Sequence, residues 1–343
     1  MSYPRPTATT TATALTEFQT NPHSSVGKPV TTEPAIERGR DALVDEARRP
    51  KVNVLGATGQ LGRRVVAALL EQDARPDDLV LSVRDPAKAS SLGFGALDVR
   101  RADYDNTELL REAFRETDVL LLIPTSEAVE PRLRQHANAL TAARKSGVER
   151  LVFSSFQACR PHSRFRRAGF YETAESSVRE IGLAWTILRS GLYLEFIAGH
   201  AAAQFNVARL MLPVERGRVA CIGRDDVARG LATACLESGH EGRVYELTGS
   251  EALSMADMAA AISALARRPM EFVAITGEEY AARCRDRGLP EPVLEVWRSM
   301  WEAVEAGELE RATDHLERLT GRPPLPLAEQ LRSLLDPETG EVS

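Results

Sequence analysis

Three glycines, Gly56, Gly59 and Gly62, recur at intervals of three in the stretch NVLGATGQLGRRVV, residues 53–66. Ahead of them, Val52-Asn53-Val54-Leu55 is short, apolar and β-branched, the composition of a strand buried on both faces. Behind them, residues 63–70 carry apolar side chains at helical spacing. A strand, a glycine turn and a helix start aim backbone N–H groups and the positive helix end at an anion, most often a dinucleotide pyrophosphate. In that reading Gly56 makes the tight turn and Gly59 lets the backbone approach the phosphates. Gly62 lets the helix pack close to the strand.

A frame must hold that turn, and from residue 51 onward strands and helices alternate. The pattern predicts strands over 78–83, 96–101, 118–123, 151–153 and 184–188. Helices are expected over 106–115, with Asn106 as cap, and over 131–145, stopped by Gly147. Such alternation implies a doubly wound parallel sheet covered on both faces, with ligands at the carboxyl ends of its strands. After the second strand, Arg84 takes the place where an acid would hold a ribose hydroxyl, and its fork suits a 2′-phosphate, which favours NADP over NAD. Asp85 follows it directly. At the next strand ends, Asp103 and Tyr104 are placed for the adenine, Pro124 and Thr125 for the nicotinamide ribose, and Ser154, Ser155 and Phe156 for a reacting carbonyl. Paired serines are also common turn formers.

Composition narrows the classes. The chain has 343 residues, a hydrophobic fraction of 43% and a formal charge of −6. No large basic field would attract nucleic acid, and no apolar run approaches the roughly 20 residues of a membrane span. Cys159, Cys221, Cys235 and Cys284 lack metal-site spacing, and the six histidines are unpaired in sequence, so no metal is expected. Buried thiols in a reducing cytoplasm are the expectation. Residues 1–50, rich in Thr, Pro, Ala and Ser, read as a disordered extension without the apolar core of a secretory signal.

Taken in order, GATGQLG, SVRDPAK, RRADYDN, VERLVFSSF, ETAESSVREIGLAWTILRSGLYLE, CIGRDDVARG, VYELTGSEALS and LTGRPPLPL resemble the NmrA-like group of atypical short-chain dehydrogenase/reductases. That group includes NADPH-dependent quinone oxidoreductases of the QorB type. The resemblance implies a Rossmann-like domain over 51–190, rejoined by segments around 218–250. It implies a smaller C-terminal α/β substrate domain from 191–217 and 251–335, with 336–343 as a tail. It implies a small-molecule substrate and NADPH as the preferred cofactor, with NAD open, and is compatible with a homodimer. The glycine turn would also contribute Thr58, Gln60 and Leu61 to the cofactor. Asp226 is carried over as a structural residue.

Most short-chain reductases supply a proton from a Tyr-x-x-x-Lys pair. The matching positions here are Tyr171 and Glu175, which share a helix face. A carboxylate cannot serve as the cation, so Tyr171, Ser155 and Glu175 are the catalytic candidates with Tyr171 expected to lack a cationic partner. Phe156, Leu192, Tyr193 and Arg167 are the substrate candidates, Arg166 or Arg167 being placed to meet an anionic group unless the cluster is only a solvated loop. Trp297, Trp301 and Val304 fall on one helical stripe, as core packing or as a stacking platform. The implied activity is hydride transfer to a quinone, enone or similar acceptor. Non-catalytic redox sensing through NAD(P) is the alternative, with epimerase or dehydratase chemistry ranked below both.

Overall fold

A computed structural model describes residues 49–335 of the chain; the N-terminal extension and the last residues lie outside them. In chain order the elements begin β1 (Val52–Leu55), α1 (Gln60–Glu71), β2 (Leu79–Val83), α2 (Pro86–Ser91), β3 (Asp98–Arg101), α3 (Thr107–Ala113) and β4 (Val119–Leu122). They continue with α4 (Val129–Lys145), β5 (Arg150–Phe156), α5 (Ala168–Glu180), β6 (Ala184–Ser190), α6 (Leu194–Ala202), β7 (Arg209–Leu212) and β8 (Arg218–Val219). The remainder is α7 (Arg224–Leu236), β9 (Arg243–Leu247), β10 (Leu253–Ser254), α8 (Met255–Ala266), β11 (Glu271–Ala274), α9 (Gly277–Asp286), α10 (Glu291–Glu305), α11 (His315–Thr320) and α12 (Leu327–Leu335).

Seven strands form one sheet in the order β3-β2-β1-β4-β5-β6-β9, and every pairing in it is parallel. The order reverses beside β1, which opens a crevice at the carboxyl ends of β1 and β4, where open α/β sheets bind ligands. This is the Rossmann-like doubly wound fold that the alternation implied. The strands are buried on both faces, α1 and α7 covering one side and α3, α4 and α5 the other. Asn53 is a polar residue inside β1, and its side-chain amide donates to the Ala113 carbonyl at 2.8 Å. Asn106 caps α3 as expected, accepting from the Glu108 and Leu109 amides at 3.1 Å each.

Two strands are longer than their sequence suggests. β5 runs to Phe156 and β6 to Ser190, in register as Ser154↔Leu188, Ser155↔Arg189 and Phe156↔Ser190. The serines read as turn formers because their hydroxyls need partners; the Ser155 hydroxyl has one, donating to Glu175 at 2.6 Å, so the strand continues.

The rest of the chain builds a second hydrophobic core around Trp301, Met258, Ile262 and Leu294. It holds β7 paired with β11, β8 paired with β10, and helices α6, α8, α9, α10 and α12. α11 lies apart from these and packs Leu316 and Leu319 with α7. Asp226, 2% exposed, joins the two regions. Its carboxylate accepts from Arg229 at 2.7 Å, from the Leu325 amide at 2.8 Å and from Gln330 at 3.2 Å. Among the described residues no helix is long and apolar enough to cross a membrane.

Candidate functional site

The turn after β1 has little freedom. Gly56 sits at φ +90°, a conformation that side chains rarely adopt, and its N–H donates to the Ser82 carbonyl at 3.0 Å. A Cβ on Gly62 would lie 2.2 Å from the Gly56 oxygen, so the close helix–strand packing requires glycine there. Gly59 offers α1 no capping side chain, and no acid stands in the first turn, which leaves the positive helix end for a ligand's anion. The cradle fits a dinucleotide.

In front of it lies a cavity of about 700 Å³, spanning the ends of β1, β2, β3 and β4. Gly56, Thr58, Gly59, Gln60, Leu61, Gly62, Arg84, Asp103, Tyr104, Pro124 and Thr125 all line it; Ser154 does not. Arg84 is exposed, and Lys88, one helical turn on, lines the same wall. Neither makes an ion pair among the described residues. Asp85 also lines the cavity and caps α2, accepting from the Ala87 amide at 3.0 Å. The carboxylate beside Arg84 is thus engaged by its own helix.

Sequence reasoning missed part of this wall. Gln135 on α4 donates to Asp105 at 3.0 Å and accepts from the Thr125 hydroxyl at 2.6 Å, fixing the β4 loop against the β3 loop. Hydrogen bonds from Gln135 and then Arg134 hold the Asp105 carboxyl below the usual carboxylate range. The Tyr104 hydroxyl donates to the Ile123 carbonyl at 2.5 Å, and burial pushes its phenol well above the ordinary value. The Gln135 contacts join residues 10 and 30 positions apart, so no local spacing announces them. Lys88 could have been found four residues after Arg84.

The catalytic candidates take different partners, Ser155 and Glu175 bonding each other and Tyr171 meeting Arg132. Glu175 is 1% exposed and is engaged by side chains of β5, β6 and its own helix. It accepts two hydrogen bonds from Arg189, at 2.8 and 2.7 Å, one from Arg179 at 2.8 Å and one from Ser155 at 2.6 Å. Burial raises its carboxyl, but the bonds from Arg189 and Ser155 outweigh that and hold it below the usual range. Ser155 spends its proton on this cluster. The expectation that Tyr171 lacks a cationic partner is corrected, because Arg132, from α4, donates to the Tyr171 hydroxyl at 3.3 Å. That contact spans 39 residues and leaves no trace in the Tyr171–Glu175 spacing.

The substrate candidates gather near Tyr171. Phe156 packs between Phe165, at 5.1 Å, and Tyr171, at 5.8 Å. Leu192 is buried in the second core. The Arg224 guanidinium covers Tyr193 at 4.6 Å, and burial pushes that phenol up to about 12. Arg167 reaches across to donate to the Ser126 carbonyl at 2.8 Å, while Arg166 pairs with Glu295 at 3.3 Å. Burial, and then the neighbouring Arg132 charge, lower the Arg167 pKa.

None of these four lines the second cavity, of about 570 Å³, which lies between α6, α9 and α10. Its walls are Phe196, His200 and Trp297, with Cys284, Glu195, Arg224 and Arg287 at the margins. Gln60 lines both cavities, so they adjoin at the start of α1. Burial lowers His200 to about 4; the neutral ring donates from Nδ1 to the Phe196 carbonyl at 2.8 Å and accepts at Nε2 from Tyr280 at 2.9 Å. Of the tryptophan stripe, Trp301 is fully buried against Phe196, whereas Trp297 is partly exposed to the cavity.

Residues 56–238 match the NAD(P)H-binding family. Quinone oxidoreductase 2 of Escherichia coli K12 is 30% identical over 83% of this chain and 99% of its own length. The NAD(P)H azoreductase of Xenophilus azovorans is 30% identical over 80% of this chain and 95% of its own. The solved structure of an NADPH-dependent quinone oxidoreductase from Escherichia coli, complexed with NADPH, superposes with a TM-score of 0.78 at 30% identity. That alignment covers 83% of this chain and 100% of the other. With its glycine cradle, switch-point cavity and these likenesses along the fold, the chain belongs to the NAD(P)H-binding, NmrA-like family.

Proposed function

We propose that this protein is an NAD(P)H-dependent reductase that passes a hydride to a quinone, enone or similar conjugated small molecule. The observation that carries the reading is the junction of the two cavities at Gln60: a cofactor-sized crevice opens beside a chamber walled by Phe196, His200 and Trp297. Aromatic walls favour flat, conjugated molecules by stacking. The bound cofactor would supply the hydride. Gly56, Gly59 and Gly62 would carry its pyrophosphate, Arg84 and Lys88 a 2′-phosphate, and Pro124, Thr125 and Ser154 its nicotinamide end. In this reading 51–190 and 218–250, joined by α11, hold the cofactor. Segments 191–217 and 251–335, apart from α11, frame the acceptor. Four unpaired cysteines suit a reducing compartment, and we place the protein in the cytoplasm.

The test is NADPH consumption, followed by absorbance, with a panel of benzoquinones, naphthoquinones and enones. Steady oxidation with at least one acceptor is expected. Tight binding of both cofactor redox states with no turnover on any acceptor would move the reading to redox sensing.

Cofactor choice is a separate expectation. A charge-assisted contact to a 2′-phosphate is worth roughly 1.5–3 kcal/mol, so Arg84→Ala should narrow the preference for NADPH over NADH by about tenfold or more. Fluorescence titration of both cofactors measures it. Equal affinities in the parent protein would refute the assignment of Arg84.

A further inference from the structure

Buried charges in this fold are generally matched: Glu175 by Arg179 and Arg189, Asp226 by Arg229. Arg132 is not. It is 3% exposed, and no carboxylate lies within ion-pair distance of it among the described residues. Among the described residues its Nε and Nη1 have no hydrogen-bond partner. Nη2 donates to the Tyr171 hydroxyl at 3.3 Å. The guanidinium lies 3.8 Å over the Phe170 ring and 5.0 Å from the centre of the Tyr171 ring, so π-faces take the place of a counter-ion. Arg167 adds a second positive charge nearby. Removing a guanidinium from water without a carboxylate is costly. A structural role would be served as well by an apolar side chain of similar size. A cation kept there at that cost acts on what it touches, the phenol oxygen.

We infer that Arg132 is a positioning residue for Tyr171, fixing the phenol and holding the negative charge that its oxygen takes on when the proton leaves. The inference rests on the reductase reading. Hydride addition leaves the acceptor oxygen with an anionic electron pair. The Tyr171 O–H bond breaks as a new O–H bond forms on the acceptor, and the electron pair of the broken bond stays on the phenolate. Arg132 Nη2 holds that phenolate until water returns a proton. One hydride and one proton complete the reduction of a quinone to its quinol, so no other reactant is needed.

The experiment uses the full chain, NADPH and 1,4-naphthoquinone. Arg132→Gln and Tyr171→Phe should each lower kcat by about thirtyfold while the KM and the NADPH affinity stay within about threefold. The double variant should be no slower than Tyr171→Phe alone, and Arg132→Lys should recover turnover to within about fivefold of the parent. Parent-like turnover in Arg132→Gln, or losses that multiply in the double variant, would overturn the inference. Absence of turnover by the parent with every acceptor would instead count against the reductase reading. A binding measurement covers that case: 2-hydroxy-1,4-naphthoquinone, an anionic quinone, titrated by tryptophan quenching with NADP bound. Its affinity should fall about tenfold in Arg132→Gln and in Tyr171→Phe, with NADP affinity unchanged. Unchanged affinity in both variants would overturn the inference whether or not the parent turns over.

Discussion

Gly62→Ala is expected to destroy the cofactor site. The added Cβ would stand 2.2 Å from the Gly56 oxygen and 2.8 Å from the Ala57 Cα. Both obstacles are backbone atoms, so no side-chain rotation relieves the clash. Either α1 moves off the sheet or the turn at Gly56 opens, and each displaces the N–H groups that face the phosphates. Overpacking of this kind costs about 1–3 kcal/mol or more. NADPH affinity should fall by at least about a hundredfold, since several phosphate contacts go together. Gly59 is a built-in control, because its Cβ would meet only the Gly56 oxygen, at 3.3 Å, and Gly59→Ala should be milder. Fluorescence titration of NADPH with both variants checks the pair. An affinity within about threefold of the parent in Gly62→Ala would show that the turn yields more easily than its geometry implies.

Glu175→Lys should largely unfold the protein. By sequence this change restores a Tyr-x-x-x-Lys pair; in the fold it places an ammonium against Arg189 and Arg179, which the carboxylate now holds at 2.7 and 2.8 Å. Removing one partner of a buried pair costs about 3–5 kcal/mol, and reversing its charge costs more, against a typical total stability of about 5–15 kcal/mol. A loss in Tm of about 10 °C or more, or insolubility, is expected. A soluble Glu175→Lys protein melting with the parent would contradict the buried cluster. The same cluster fixes a pH dependence. The folded-state carboxyl lies below its usual range, so the folded protein binds fewer protons there than the unfolded chain. Its contribution is complete above the unfolded value and is lost as pH falls through the folded one. Glu175→Gln should therefore melt with a weaker dependence on acid than the parent.

How much of this was legible in sequence depends on how far apart the partners lie. The strand, glycine turn and helix at 52–71 are adjacent in the chain, and each residue there speaks for its own conformation. The same holds for the Asn106 cap. The position of Arg84 on the cavity wall was readable because strand ends define where ligands sit. Glu175 was not, because its ligands Ser155 and Arg189 stand 20 and 14 residues away, on strands whose register only the fold supplies. Arg132 was hidden in the same way on α4, a helix whose pattern reads as ordinary. The tryptophan stripe was half legible: Trp301 is core, as helical spacing suggests, but Trp297 sits at the edge where the core ends and the second cavity begins. Periodicity names a face and does not say where along it packing gives way to empty space.

The placement of α11 bears on how ligands enter. The chain passes between the large sheet and the second core at 190–194, 219–224, 247–253, 305–315 and 320–327. Hinge closure in two-lobed proteins relies on a few terminal residues absorbing a large backbone rotation. A body threaded back and forth in this way must move five backbone segments together to open, and Asp226 ties one of the crossings to the segment ahead of α12 through the Leu325 amide and to α12 itself through Gln330. Opening would have to break several connections together. Entry by local yielding of loops and side chains at the margins of the paired cavities would leave all five crossings undisturbed.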